Sequence, residues 1–339
     1  MNKIRYIDKK ILCDYDFKKE LFDILDVKVQ DIMPLRKVFV LFTNKGKKIL
    51  KISDSSEERI EFIDKSLEFI ERGFPNVLKY SKNKNGDIIT QWGDKRYVLL
   101  DMVEGREAVY TNPIEVDLCA NAISKMHIAS KNISNYLPKK YLENNLGMNL
   151  IEKMKTEFLT LVDLENLVKK YKYKNEFDTL FLTYIDDTKR DLEKTIGEIE
   201  NSAYKDLFNK KEEMILCHND LAHHNFIIDG EKVSIIDFDY CNIDTRIIDI
   251  YGYTIKVIKT LSYDKDIIDL IINSYNKMSK LDIDEVIILK KLMNYPKDFI
   301  SISINYYFKQ KRWDEEVFLT RLKSKLDMDK FRAEMLDNN

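Results

Sequence analysis

The chain of 339 residues is too long for one small module; at roughly 150 residues per domain it fits two domains or one two-lobed unit. Apolar residues at 44% and charged residues at 34% allow a sizeable core beneath a densely charged surface, which excludes a disordered, collagen-like or disulfide-built chain. With 56 Lys and Arg against 58 Asp and Glu, the formal charge of −2 leaves no global field to draw the protein onto nucleic acid or anionic lipid.

In chain order, Met1–Asp8 lacks a long apolar segment, and no run anywhere reaches the roughly 18 apolar residues of a membrane span. Arg36–Thr43 and Lys48–Ile52 are β-rich runs around the polar turn Asn44–Lys47, a hairpin signal. Asp54–Glu58 starts a helix on which Ile60, Ile63, Leu67 and Ile70 share one face, with Gly73 as its stop. Asp87–Leu100 forms a second hairpin turning at Gly93-Asp94-Lys95, so residues 1–100 read as a small β-rich lobe with one helix packed across it. From about Asn112 to Asn209 the periodicity is helical, opening with Ile114, Leu118, Ile123 and Met126. Glu213–Cys217 reads as a short strand and Asn225–Asp237 as a hairpin turned at Asp229-Gly230, after which helices resume through Ile267–Met278, Ile283–Met293 and Trp313–Leu326.

Scarcity is informative in two places. Nine Gly and five Pro argue for long helices and few tight turns, and three of only four histidines, His218, His223 and His224, crowd into one short segment and mark a site. The four cysteines, Cys13, Cys119, Cys217 and Cys241, lack CxxC spacing, which fits buried thiols in a reducing cytoplasm and neither a zinc knuckle nor a disulfide framework.

The segment His218-Asn219-Asp220-Leu221-Ala222-His223-His224-Asn225 lies between a strand and a hairpin, and Asp237 and Asp239 follow the next strand. Each Asp or Asn alone reads as ordinary turn chemistry. The spacing H-x-D-x-x-x-x-N with a further Asp beyond the hairpin is what phosphoryl transfer requires: Asp220 to accept a hydroxyl proton, then Asn225 and Asp237 to hold Mg2+ on phosphates. A zinc hydrolase is the competing enzyme class, but only His127 remains elsewhere to complete such a ligand set.

The same residues resemble the protein-kinase-like superfamily, on its branch of aminoglycoside phosphotransferases and choline kinases. Ile236–Cys241, Asp244, Arg246–Ile250, Arg72–Val77 and Tyr97–Glu107 resemble more narrowly the CotS family of spore coat proteins. The resemblance implies an α+β, two-lobed protein-kinase-like fold, with a nucleotide-binding lobe at 1–101 and a catalytic lobe at 102–339 that carries a helical insertion near 136–209. It implies ATP and Mg2+ as cofactors, a small-molecule acceptor, and other spore coat proteins as partners. Asp220 stands as catalytic base, Asn225 and Asp237 as metal ligands, and His218, Asp239 and Asp249 as supports of the loop. Lys51 matches the lysine that pairs with the nucleotide phosphates, and its partner Glu falls at Glu57 or Glu61, with Glu61 preferred. Residues 100–104, with Met102 and Val103, stand as the hinge that bonds adenine.

The sequence departs from the protein-kinase pattern at the glycine-rich loop. Its nine glycines are never closer than seven residues, and Ile32–Val38 stands where that loop would cover the phosphates. A kinase-like scaffold of the spore coat is therefore the second function class.

Overall fold

The computed structural model describes residues 9–261 and 264–337. A 3-10 turn at Lys9–Asp14 and helix α1 (Lys19–Ile24) lead into an antiparallel sheet of β1 (Val29–Leu35), β2 (Val38–Thr43), β3 (Gly46–Ile52), β4 (Tyr80–Ser81), β5 (Ile89–Trp92) and β6 (Lys95–Asp101). The strand order is β1-β2-β3-β6-β4, with β5 paired to β6. Strand alternation decides what the sheet presents to each side. Leu50 is fully buried with Leu41, Tyr97 and Leu99 in a small core that includes Leu21 and Phe22 of α1, so its neighbour Lys51 points from the opposite face.

Strand β1 has no counterpart in the sequence reading, because Pro34 interrupts its pattern. Pro is tolerated there because β1 is an edge strand. It joins β2 through the two-residue turn Arg36-Lys37, in which Arg36 takes a positive φ of 53°. The segment expected to cover the phosphates is thus the tip of a tight β-hairpin.

Helix α2 (Glu57–Glu71) links β3 to β4 and is capped by Ser56, whose side chain accepts the N–H of Arg59. The apolar periodicity placed this helix across the sheet. Instead Phe62, Ile63, Leu67 and Ile70 join the larger, C-terminal core, packing toward α3 (Pro113–Ala129) and α4 (Ile133–Tyr136).

After Asp101 the chain makes β7 (Arg106–Glu107) and then runs helical through α3, α4, α5 (Lys139–Asn144), α6 (Leu150–Lys169), α7 (Glu176–Glu200) and α8 (Tyr204–Asn209). Short strands follow: β8 (Ile215–Cys217), β9 (Phe226–Asp229), β10 (Lys232–Ile235) and β11 (Asn242–Asp244). β7 adds to the β9–β10 hairpin, and β11 pairs with β8. The remainder is α9 (Arg246–Thr260), α10 (Asp266–Asn276), α11 (Ile283–Leu292), α12 (Lys297–Tyr307) and α13 (Glu315–Asp337). The fold is the two-lobed mixed architecture expected, a β-sheet followed by a mainly helical part.

The long helices start where capping chemistry dictates. Asn175 and Asp178 form a capping box on α7, and Asp282 and Glu285 form one on α11. Gly105 is required by geometry: its φ is +132°, and a Cβ there would meet the Ile228 carbonyl at 2.6 Å, so only glycine lets β7 lie against β9. No helix among the described residues is long and apolar enough to cross a membrane.

Candidate active site

The buried strand β8 delivers the chain to residues 218–225, and the polar groups of this loop are held from below by one carboxylate. Asp249, on the first turn of α9 and 1% exposed, accepts the N–H of His218 at 2.6 Å and that of Asn219 at 2.7 Å. The Nε2 of His127 lies 3.1 Å from the same carboxylate. Burial alone would raise the pKa of Asp249, but the bonds from His127 and the His218 backbone outweigh it and hold the group below the usual carboxylate range.

His218 spends both ring nitrogens on the loop. Its Nδ1 accepts the N–H of Asp220 at 3.2 Å and its Nε2 donates to the Ile236 carbonyl at 2.9 Å, which fixes a neutral imidazole. Burial lowers its pKa, in keeping with that form. No nitrogen of His218 is left for a metal, and among the described residues the ligand atoms that do gather are those of His127, Cys217 and Asp249, not the His218, Asp220, His223 and His224 set weighed from the sequence.

With Asn219 in the left-handed region at φ 61°, Asp220 turns toward the cleft. Asn225, 1% exposed, donates to the Asp220 backbone carbonyl at 2.8 Å and lies 3.4 Å from its carboxylate. Asp237 also takes a positive φ, 66°, a strained conformation for a non-glycine residue, and this aims its carboxylate across the cleft. There Lys51 bridges Asp237 at 2.7 Å and Asp239 at 2.6 Å. Burial would lower the Lys51 pKa, yet the two carboxylates raise it above the ordinary lysine value.

The structure therefore brings Lys51, Asp237 and Asp239 together and corrects the pairing expected from the sequence. Glu61 does not meet Lys51: its carboxylate accepts the hydroxyl of Tyr141. Asp239 lies nearer the lysine and takes the place assigned to the glutamate. Another α2 residue reaches across instead. Arg59 bonds Asn145 and the backbone carbonyls of Asp239 and Cys241, the former at 2.8 Å. In residues 100–104, the expected hinge, the Met102 N–H is spent on the Lys47 carbonyl at 3.1 Å, whereas the Val103 N–H has no partner among the described residues.

Sequence reasoning missed Lys256. From α9 its ammonium bonds the Asp220 carboxylate at 2.6 Å. Burial pushes the Asp220 pKa up, but the bond from Lys256 more than offsets this and keeps the group a carboxylate at neutral pH. The signal was present, since Lys256 lies seven residues beyond Asp249 and so shares its helical face.

Asp237, Asp239 and the amide oxygen of Asn225 are hard oxygen donors, and a lysine already sits between the two carboxylates. That donor set suits Mg2+ rather than a soft metal.

Comparison with known proteins gives these side chains their context. The phosphotransferase enzyme family matches residues 35–260, from the β1–β2 turn to the end of α9. The chain belongs to that family. As a phosphotransferase it keeps the fold of its solved relatives over nearly the whole length. An aminoglycoside phosphotransferase from Alicyclobacillus acidocaldarius superposes with a TM-score of 0.79 at 16% identity, covering 95% of this chain and 94% of that one. An AMP-bound spectinomycin phosphotransferase gives 0.61 at 13% identity, covering 94% and 93%. The Plasmodium vivax ethanolamine kinase gives 0.56 at 17% identity, covering 94% and 86%. The chain is thus a phosphotransferase by family, on the fold these structures share.

Proposed function

We propose that this phosphotransferase moves the γ-phosphoryl group of ATP to a hydroxyl of a small molecule, with Mg2+ as cofactor. The observation that carries the reading is Asp220, kept ionised by Lys256 and held by Asn225 and His218 at the mouth of the cleft, with the Lys51, Asp237 and Asp239 cluster facing it. Nucleotide-bound relatives such as the spectinomycin enzyme with AMP support the choice of donor.

The roles follow from position. Asp220 accepts the hydroxyl proton of the acceptor and orients its oxygen toward the phosphorus. Asn225 and Asp237 would hold Mg2+, which neutralises phosphate charge when bound. Lys51 releases one of its two carboxylates to align the phosphates, while Asp239 keeps it in the cleft. Val103 offers its N–H to adenine, and Arg36, paired with Glu107 at 2.7 Å across the cleft, closes the hairpin tip over the phosphates where glycines are absent. Catalysis by this set is positioning and charge neutralisation.

The likeness to the CotS family, in Arg72–Val77, Tyr97–Glu107 and Ile236–Cys241, extends the proposal to a cytoplasmic enzyme that joins other spore coat proteins. Fractionation of spores with an antibody to the protein tests that part: absence from the coat fraction removes it. For the chemistry, Mg2+–ATP should raise the melting temperature of the wild-type protein. Asp220→Asn should keep that shift while lowering turnover by about 10²–10⁴-fold. Equal turnover in both forms would sink the assignment of Asp220, and no shift with Mg2+–ATP would leave a scaffold.

A further inference from the structure

Beside Asp220 lies a cavity of about 590 Å³ walled by the catalytic loop, α6, α9 and the start of α12, with Lys51 not among its lining. Its position gives it direct access to the base, so it is where an acceptor hydroxyl would arrive; the inference below rests on the phosphotransferase reading. Three of its wall residues are acids: Asp220, Asp244 and Asp249. Two of these are shut off from any ligand. Asp249 is 1% exposed and spent on the loop, and Asp244 is 3% exposed with its carboxylate packed on Gly147, where a Cβ would sit 1.8 Å from the oxygen. Burial pushes the Asp244 carboxyl up to about 7, so near neutrality it carries only part of a charge.

The accessible charges have the opposite sign. Lys153 of α6 and Lys297 of α12 line the cavity, and among the described residues neither ammonium has an ion-pair partner. Lys256 stands close by, bonded to Asp220. The protein packed around Lys297, and then the neighbouring Lys153, push its pKa down against the pull of Glu157, although the side chain keeps a face open to solvent; Lys259 and Lys256 push the same way. Glu157, bonded to the Tyr295 hydroxyl, is the one carboxylate opposing this group from the next helix turn of α6. Glu157 on Lys297 and the partly charged Asp244 on Lys153 act without an ion pair being formed among the described residues, so an anion that bonds the two ammonium groups directly is favoured in this cavity.

From this arrangement we infer that the acceptor carries an anionic group, a phosphate or a carboxylate, which docks on Lys153 and Lys297 and so presents its hydroxyl to Asp220. A cationic acceptor would meet two ammonium groups and find only one reachable acid, already paired with Lys256. Both anionic groups offer the oxygen atoms that an ammonium recognises, and charge-assisted bonds of this kind are about twice as strong as neutral ones.

The test measures binding by calorimetry, with the nucleotide cleft filled by Mg2+ and a non-hydrolysable ATP analogue so that Lys51 is not available. The probes are inorganic phosphate, citrate and choline at matched ionic strength. Phosphate or citrate should bind and choline should not. The double variant Lys153→Gln/Lys297→Gln should weaken the anion by roughly ten-fold or more, whereas Lys153→Arg/Lys297→Arg should retain it. Lys155→Gln, on the outer face of α6 where Lys155 pairs with Glu200, should leave anion affinity unchanged. Choline binding without anion binding, anion binding of equal strength in the Gln variant, or no binding of any probe each overturns the inference. The ATP analogue provides the separate check: if it binds and the anions do not, the acceptor class is wrong and the kinase reading stands. If the analogue itself fails to bind, the kinase reading has failed.

Discussion

At the residue scale, the carboxylate proposed as the base is governed by one lysine of α9. Lys256 holds Asp220 ionised and fixes its orientation at once. In Lys256→Met the burial of Asp220 remains while the opposing bond is gone, so the Asp220 pKa rises. Because the base works only when ionised, the acid limb of the kcat/KM profile should then move to higher pH, and kcat at neutral pH should drop by about 10²-fold, the cost of a misplaced catalytic group. An unmoved acid limb with lowered kcat would reduce Lys256 to a packing residue. The contrast between residues shows what was legible. His218, Asp220, Asn225 and Asp237 were readable because their spacing within two adjacent turns is itself the geometry. Glu61 and Lys256 were not, since each sits on a helix whose final phase is set by packing against distant chain. Glu61 met Tyr141 of α5, a partner no local pattern could name.

At the element scale, the placement of α9 matters most, because this one helix carries both Asp249 and Lys256. Its first residue, Arg246, is bound by Glu285 through two bonds of 2.6 Å, and Glu285 also completes the capping box of α11. One carboxylate therefore closes the start of one helix and anchors the start of another. Glu285→Ala should cost about 2–4 kcal/mol in urea denaturation, since it removes a cap and leaves a half-buried guanidinium unpaired. Asp282→Ala removes only the cap and should cost about 1 kcal/mol. Equal losses in the two variants would show that the Arg246 contact adds nothing. The two N-terminal hairpins and the helices α10, α11 and α13 were readable from alternation and periodicity, whereas α12 was not singled out. Strands β7 and β11, of two and three residues, were not, because a pattern needs more length than they have and their partners lie far away in the chain.

At the scale of the whole molecule, the two lobes were readable from the shift from β-rich to helical composition, but the allegiance of α2 was not. Its apolar stripe had two sheets of hydrophobic surface to choose from, and it chose the larger core. Arg59 reinforces the choice by satisfying the carbonyls of Asp239 and Cys241, in the segment whose acids pair with Lys51. In hydrogen exchange, the amides of α2 should be as slow as those of α9 whether or not nucleotide is present; faster exchange in the free protein would show that α2 swings loose. Swinging it away would strip Phe62 and Ile63 from the core and leave two carbonyls bare. A helix moored in this way has no resting position to return to, so the enzyme has no idle gear at α2: its output follows the supply of substrate and the amount of protein made.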